Sequence, residues 1–223
     1  MVQDSNFDSV VDNFEQQENL SDKEIFSKIW ISPRKVFKYL NERNYDKYVT
    51  ILLVFSGISR AFDQASTKNF GDRMSIWAIL GICIIAGGLF GWFTYYIYAA
   101  LLSWTGKWLK GEGNTNSILR MISYAMIPSI IALVFLIPQI SIYGNEMFKS
   151  EGDIVSAGLI SNILVYLSLF LEFVLGIWTI VLCVIGISEV QKFSIGKSIL
   201  NFLLPGLVIL VPILFIVLLI KVF

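Results

Sequence analysis

Histidine is absent from this chain of 223 residues, and cysteine occurs only twice. Histidine is the commonest general base and the commonest protein ligand of transition metals, so its absence argues against the usual hydrolytic and metal-dependent enzymes. Cys83 and Cys183 lie in apolar segments, and their spacing fits neither a disulfide framework nor a zinc site. We therefore expect no catalytic residues, no metal site and no cofactor, in a protein that is not an enzyme.

Charge is scarce as well. Asp, Glu, Lys and Arg together form 15% of the chain, against roughly a quarter in soluble proteins. The 17 basic and 17 acidic residues cancel, so no global field favours nucleic acid, and we expect no nucleic-acid partner.

The N-terminus lacks basic residues entirely. Residues 1–22 contain six Asp and Glu residues and no Lys or Arg, whereas an export signal begins with basic residues. This composition predicts a disordered acidic tail over residues 1–20. Phe7, Val11 and Phe14 recur at helical spacing, so the alternative is a segment that folds on an unknown partner protein.

Long apolar runs fill most of the chain from Tyr48 onward, and 56% of all residues are hydrophobic. A bilayer core about 30 Å thick needs roughly 20 mostly apolar residues per helix. The runs predict an all-α, polytopic membrane protein, in which residues 47–223 form a bundle of five transmembrane helices. The expected spans are residues 47–65, 75–103, 118–140, 157–188 and 198–221. The first is the weakest, because it is short and contains Arg60 and Asp63, which could pair on one helix face.

Residues 21–46 are too short and too polar to span the membrane. Ser21 and Glu24 fit a capping box, and Ser32 with Pro33 fits a second helix start. The pattern predicts amphipathic helices that lie on an anionic inner leaflet, and the alternative is a helical cap packed on the end of the bundle. The expected interfacial residues are Ile25, Phe26, Ile29, Trp30, Arg34 and Lys35.

Lys and Arg are distributed unevenly between the two sides. If the N-terminus is inside, most basic residues fall in the segments on that side. The positive-inside rule therefore favours a cytoplasmic N-terminus, and five spans then place the C-terminus outside.

Small residues form stripes along two of the expected spans. Such stripes let helix backbones approach closely in lipid, so we expect these faces to pack inward. The glycines assigned to helix packing are Gly81, Gly87, Gly88 and Gly91 in the second span and Gly176 in the fourth.

Glu172 is an acidic residue deep in the fourth span. A carboxylate there costs about 2.5 to 3.5 kcal/mol on insertion scales, so it should be protonated, paired or facing a wet cavity. Two interpretations remain open: an ion or proton site, or a neutral acid hydrogen-bonded to a neighbouring helix, for example to Tyr124. We treat Glu172, Tyr124 and Ser168 as the candidate intramembrane polar site.

The segment TGKWLKGEGNTNSILRMISYAMIP, from Thr105 to Pro128, resembles the central signature of the Yip family, the Ypt/Rab-interacting five-span membrane proteins and their bacterial relatives. The matching positions are Gly106, Gly111, Gly113, Tyr124, Ala125 and Pro128. Two further segments, KIWISPRKVFKYL and IGISEVQKFSIGKSI, resemble the pre-membrane segment and the last connector of bacterial members.

This resemblance implies a five-span bundle with a cytoplasmic N-terminus, here in the inner membrane of a bacterium. In eukaryotic members it also implies Rab GTPase binding, but the acidic tail shows no Rab-binding motif. The expected function is a non-enzymatic scaffold that organises partner proteins or lipids. The alternative is a small transporter or channel component with Glu172 in its path.

Overall fold

The computed structural model describes residues 19–153 and 158–222, so the expected acidic tail lies almost entirely outside the described residues. No strand occurs in the described part of the chain. Eight helices run through it: α1 (Asp22–Lys28), α2 (Pro33–Glu42), α3 (Val49–Thr67), α4 (Ile76–Trp108), α5 (Thr115–Ala125), α6 (Ile127–Tyr143), α7 (Leu159–Gln191) and α8 (Ile195–Val222).

Four of the described helical segments are long and apolar enough to cross a membrane. They are Ile76–Trp108, Thr115–Phe148, Leu159–Gln191 and Ile195–Pro212. Helix α3 is not among them, so the structure supports an all-helical membrane protein without confirming the count of five spans. Large apolar side chains on α4, α7 and α8, including Phe90 and Phe173, are exposed on the isolated chain, as expected of surfaces that face lipid.

The third expected span is divided in two. Sequence predicts one helix over residues 118–140, but α5 ends and α6 begins at Met126. The proline ring of Pro128 lacks an N–H and would clash with the carbonyl of Tyr124 in a continuous helix, which explains the break. Helix α5 is largely buried against its neighbours, and α6 continues along the bundle.

Helices α3 and α4 pack antiparallel with their backbones in direct contact. A Cβ atom on Gly57 would lie 2.3 Å from the carbonyl oxygen of Gly87 and 2.5 Å from the Cα atom of Gly91. The Tyr95 hydroxyl also donates to the carbonyl oxygen of Ser56 at 3.2 Å. Only glycine fits this contact, so the GxxxG pattern of α4 serves helix packing within the chain.

Helices α1 and α2 are packed on one end of the bundle. Ile25, Ile29 and Val36 are fully buried in the main apolar core, and Phe37 lies against Gly186 of α7. We call residues 21–48 the N-terminal cap. At the opposite end of the bundle, a second apolar cluster joins α3 and α4 to Phe148.

Candidate functional site

The N-terminal cap begins at a capping box. The Ser21 hydroxyl accepts a hydrogen bond from the Glu24 N–H at 3.4 Å, and the Glu24 carboxylate accepts one from the Ser21 N–H at 2.9 Å. Lys28 Nζ lies 2.9 Å from the same carboxylate. The Ser21 N–H and the Lys28 ammonium lower the pKa of Glu24 to about 2. Glu24 is therefore ionised at neutral pH, where its charge also suits the N-terminal turn of α1.

Asp22 ties α1 to the segment before α3. Its carboxylate accepts hydrogen bonds from Lys47 Nζ and the Tyr48 hydroxyl, each at 2.5 Å, and one from the Tyr45 hydroxyl. Hydrogen bonds from Lys47, Tyr45 and Tyr48 hold the pKa of Asp22 well below its ordinary value. The cap is thus held by a charged cluster as well as by its apolar core.

A second ion pair joins this segment to α5. Arg120 Nε donates to Asp46 Oδ1 at 2.6 Å, and Nη2 donates to Oδ2 at 3.2 Å. Arg120 is only 5% exposed. A bidentate pair with one buried partner fixes both position and orientation, so the cap is rigidly attached to the bundle.

Gln191 lies beneath the glycine-rich loop between α4 and α5. Its Oε1 atom accepts from the Gly113 N–H at 2.9 Å, and its Nε2 atom donates to the carbonyl oxygen of Leu102 at 3.2 Å. A Cβ atom on Gly106 would lie 2.0 Å from Gln191 Nε2, and one on Gly111 would lie 2.3 Å from Oε1. A side chain at Gly106, in the last turn of α4, or at Gly111, in the loop, would therefore displace the hydrogen-bonded amide of Gln191.

Asn201 of α8 completes this polar network. Its Nδ2 atom donates to Thr105 Oγ1 at 2.9 Å and to the Leu102 carbonyl oxygen at 3.2 Å. Gln191 Nε2 also lies 3.4 Å from Asn201 Oδ1. Gln191 and Asn201 are almost completely buried, so the network fixes how α4, α7 and α8 meet below the cap.

A polar cavity of about 190 Å³ lies between α3, α6 and α7. Its wall includes Glu172 and Asp63, together with Ser59 and Ser129. The Ser59 hydroxyl lies 3.1 Å from the Ser129 hydroxyl. The cavity therefore brings together two carboxylates and two hydroxyl groups from three different helices.

Gln139 is the hydrogen-bond partner of Glu172. Its Nε2 atom donates to Glu172 Oε1 at 2.7 Å, and the Gln139 side chain is 1% exposed. Among the described residues, no group of three or more His, Cys, Asp or Glu side chains is placed to hold a metal ion. The amide of Gln139 thus satisfies one carboxylate oxygen of Glu172 within the bundle.

A family model described as the Yip1 domain matches residues 27–217. The chain belongs to the Yip1 family. No curated protein and no solved structure matches it. The match includes α2, the glycine-rich loop and Gln191.

The structure does not gather the three residues of the predicted polar site. Glu172 contacts Gln139, while Tyr124 is buried near the N-terminal cap, with its ring centroid 6.3 Å from that of Phe26. Ser168 donates to the Leu164 carbonyl oxygen of its own helix at 2.9 Å. Sequence analysis missed Gln139, whose signal is a lone amide within an apolar run.

Asp63 is placed differently from the sequence expectation. Among the described residues, Arg60 and Asp63 form no ion pair within 4.0 Å, and their charges interact over a longer distance. Instead, Asp63 lines the cavity of Glu172.

The predicted interfacial residues divide into two groups. Ile25 and Ile29 are fully buried against the bundle and so are not available to lipid, which corrects the expectation for these two side chains. Phe26 and Trp30 are partly buried against the same core. Arg34 and Lys35 are exposed, and Ile31 between the two helices is 84% exposed. The geometry is that of the alternative arrangement, a cap packed on the bundle.

The predicted packing glycines also differ in their surroundings. Gly87 and Gly91 contact α3 closely, and Gly88 is looser, because a Cβ atom there would lie 3.6 Å from Val54 Cγ1. Cβ atoms on Gly81 and Gly176 would meet no described atom within 4 Å. Gly176 lines the polar cavity beside Glu172.

Proposed function

We propose that this Yip1 protein is a non-enzymatic, five-span scaffold in the inner membrane of a bacterium, with its N-terminus in the cytoplasm and its C-terminus outside. In this proposal the N-terminal cap recruits or organises acidic surfaces, either anionic lipid headgroups or an acidic partner protein. The membrane character of the chain is established by its family and by its long apolar helices.

The packing of α3 supports its inclusion as a fifth span. Its 19 residues extend about 28 Å as a helix, close to the roughly 30 Å of a bilayer core. Its backbone contacts α4 at Gly57, within the segment of α4 that is long and apolar enough to cross. A helix packed this closely along a spanning helix lies at the same depth in the bilayer. With α3 counted, the proposed chain crosses five times, which puts the N-terminal cap and the C-terminus on opposite sides.

The observation that carries the scaffold proposal is the exposed basic face of a rigidly attached cap. Arg34, Lys35 and Lys38 are exposed on α2, whose opposite face is buried in the core. Two further exposed lysines lie at the same end of the bundle: Lys107 in the last turn of α4, and Lys110 just after that helix. Each basic residue near an anionic surface contributes about 1 kcal/mol, so such a platform favours negatively charged partners.

Photo-crosslinking in native membranes tests this proposal. A photoreactive residue replaces Ile31, which is 84% exposed, and crosslinked lipid or protein is analysed by mass spectrometry. We expect crosslinks that are lost in Arg34→Glu/Lys35→Glu and retained in the matched variant Lys68→Glu/Arg73→Glu, which changes the opposite end. Crosslinks that are unaffected by the first variant contradict recruitment by the basic face.

The cavity of Glu172 favours a second candidate function, in a transporter or channel component. The nearby Asp63 carboxylate means that Glu172 is not an isolated acid, and convergent polar groups are what a proton or cation path requires. The test is proton or cation flux in proteoliposomes, with Glu172→Gln as the variant. Flux that disappears in the variant favours transport, and absence of flux in the unaltered protein favours the scaffold.

A further inference from the structure

Helix α4 indicates where the two membrane boundaries cross the bundle. The chain carries no charged residue between Arg73, just before this helix, and Lys107 in its last turn. Trp77 near its start and Trp104 near its end are exposed, and tryptophan favours the boundary between membrane and water. The two tryptophans lie about 40 Å apart along the helix, close to the roughly 40 to 45 Å of a bilayer with its headgroups. Trp104 therefore indicates the headgroup level at the end that carries the N-terminal cap.

The start of α3 lies close to this level. Gly57 of α3 contacts Gly91 of α4, and the two helices are antiparallel. Going back along α3 from Gly57 to Tyr48 therefore corresponds to going forward along α4 from Gly91 to about Ala100. Ala100 is about 6 Å from Trp104 along the helix. Tyr48 thus lies where the headgroup layer meets the hydrocarbon core.

Helix α1 is attached at the level of Tyr48. The ring of Phe26 packs edge-on against the ring of Tyr48, with the centroids 5.3 Å apart. The Tyr48 hydroxyl also donates to the Asp22 carboxylate at 2.5 Å, so both ends of the short helix α1 are close to the start of α3. Helix α1 is therefore at headgroup depth.

Helix α2 is held at a similar level by α7. A Cβ atom on Gly186 would lie 3.4 Å from a ring carbon of Phe37. Gly186 is about 7 Å nearer the middle of the bundle than Gln191, whose amide reaches the Leu102 carbonyl oxygen of α4. The N-terminal cap is therefore packed beside the last turns of the long helices, within the headgroup layer, and does not extend beyond that layer into water.

The surface that the N-terminal cap exposes at this depth is both apolar and basic. Ile31, in the turn between α1 and α2, is almost completely exposed. Arg34 and Lys35 in the first turn of α2 are exposed as well, while the opposite face of that helix is buried. Apolar groups beside basic ones are typical of surfaces that bind the headgroup layer, because the apolar group enters the acyl boundary and the basic groups meet phosphate. A soluble acidic protein would have to displace lipid to reach this surface.

We propose that the N-terminal cap binds anionic phospholipids of the surrounding leaflet: Arg34 and Lys35 bind their phosphate groups, and Ile31 inserts among their acyl chains. This inference rests on the proposed function, and it names lipid as the acidic surface that the cap meets. Ile31 takes the role that the sequence assigned to Ile25 and Ile29, which are buried in the bundle. Charge-assisted hydrogen bonds to phosphate favour phosphatidylglycerol over phosphatidylcholine, whose own ammonium group neutralises its phosphate.

Fluorescence quenching in vesicles of phosphatidylcholine and phosphatidylglycerol tests the depth of Ile31. A fluorophore is attached to Ile31→Cys in a full chain that carries Cys83→Ala/Cys183→Ala, and the lipid acyl chains carry bromine. We expect quenching that is several-fold stronger than at the control Glu112→Cys, which lies beyond the end of α4. Equal quenching at the two positions overturns the insertion of Ile31.

Native mass spectrometry of the full chain tests the choice of headgroup. Phosphatidylglycerol adducts should weaken about tenfold or more in Arg34→Gln/Lys35→Gln, because each basic residue near an anionic surface adds to the binding. The matched control Lys68→Gln/Arg73→Gln removes the same charge at the opposite end and should retain the adducts. Equal binding of phosphatidylcholine, or an equal response of the two variants, overturns the lipid assignment. The label at residue 31 decides the inference even if the first variant does not fold.

The inference and the proposed function can fail separately. Photo-crosslinks from residue 31 to an acidic protein that require Arg34 and Lys35, together with weak quenching, overturn lipid binding and leave the scaffold proposal standing. Weak quenching without any crosslink that requires these two residues overturns both.

Discussion

The backbones of Gly57 and Gly91 touch across α3 and α4: a Cβ atom on Gly91 would lie 2.2 Å from the Cα atom of Gly57. No relaxation of a side chain can relieve such an overlap, because both partners are backbone. The contact therefore fixes the distance between the two helices.

Gly91→Ala should destabilise the protein by about 1 to 3 kcal/mol, the range for overpacking a tight site. The matched control is Gly81→Ala on the same helix, where a Cβ atom meets no described atom within 4 Å. The control should be neutral or slightly stabilising, because alanine favours helix. Thermal unfolding in detergent measures the stability of both variants. If the two variants lose the same stability, the close contact at Gly91 is contradicted.

Gln191→Ala should lower the free energy of unfolding by about 1 to 3 kcal/mol, because the buried Gly113 N–H loses its acceptor. Gln64→Ala is the control, since the Gln64 side chain is exposed and, among the described residues, its one hydrogen bond is accepted from Lys68. Unfolding in detergent should separate the two variants clearly. If Gln191→Ala matches the control, the polar network does not hold the glycine-rich loop.

Glu172→Gln should be tolerated if Glu172 is a structural residue, because glutamine can still accept from Gln139. Glu172→Leu removes that bond and should weaken packing by roughly 0.6 kcal/mol, the average for such bonds between membrane helices. Growth and localisation assays provide the measurement. Loss of activity in a folded, inserted Glu172→Gln protein places transport ahead of the scaffold.

The N-terminal cap should loosen in acid. The lowered pKa of Glu24, about 2 against an ordinary 4.5, means that its contribution is complete above pH 4.5 and is lost as the pH falls toward 2. The pKa of Asp22 is also lowered, so its contribution to stability is likewise lost as the pH falls. The protection of the amides of residues 21–48 against hydrogen exchange, relative to their intrinsic rates, should therefore decrease as the pH falls over this range. Asp22→Asn should remove part of this decrease. Protection that does not change with pH would falsify the role of these carboxylates.

Cysteine labelling at Lys68 decides between four and five spans. If α3 crosses the membrane, Lys68→Cys and Ser150→Cys are labelled from outside, whereas Arg43→Cys and Glu112→Cys are labelled only from inside. Glu112 is preferred to Asn114, because the Asn114 side chain caps α5. Labelling of Lys68→Cys and Arg43→Cys from the same side shows that α3 does not cross.

The sequence by itself determined the class of this protein and much of its local structure. Apolar length is a property of consecutive residues, so it predicted a helical membrane protein, and the signature from Thr105 to Pro128 correctly indicated the family. The capping box at Ser21 was equally local and is present as expected. Pro128 also disturbs the helix through its own missing N–H and ring. Whether the helix bends or is divided there depends on the residues that pack around it.

Only the tertiary structure decided which partner each face and each polar side chain meets. An amphipathic helix presents the same apolar residues to lipid or to protein, so the sequence left open whether Ile25 and Ile29 are buried in the bundle. Likewise, Glu172 pairs with Gln139 from another helix. Arg60 and Asp63, three residues apart on α3, line different cavities. These outcomes depend on contacts between residues that are distant in the chain, which local pattern does not encode.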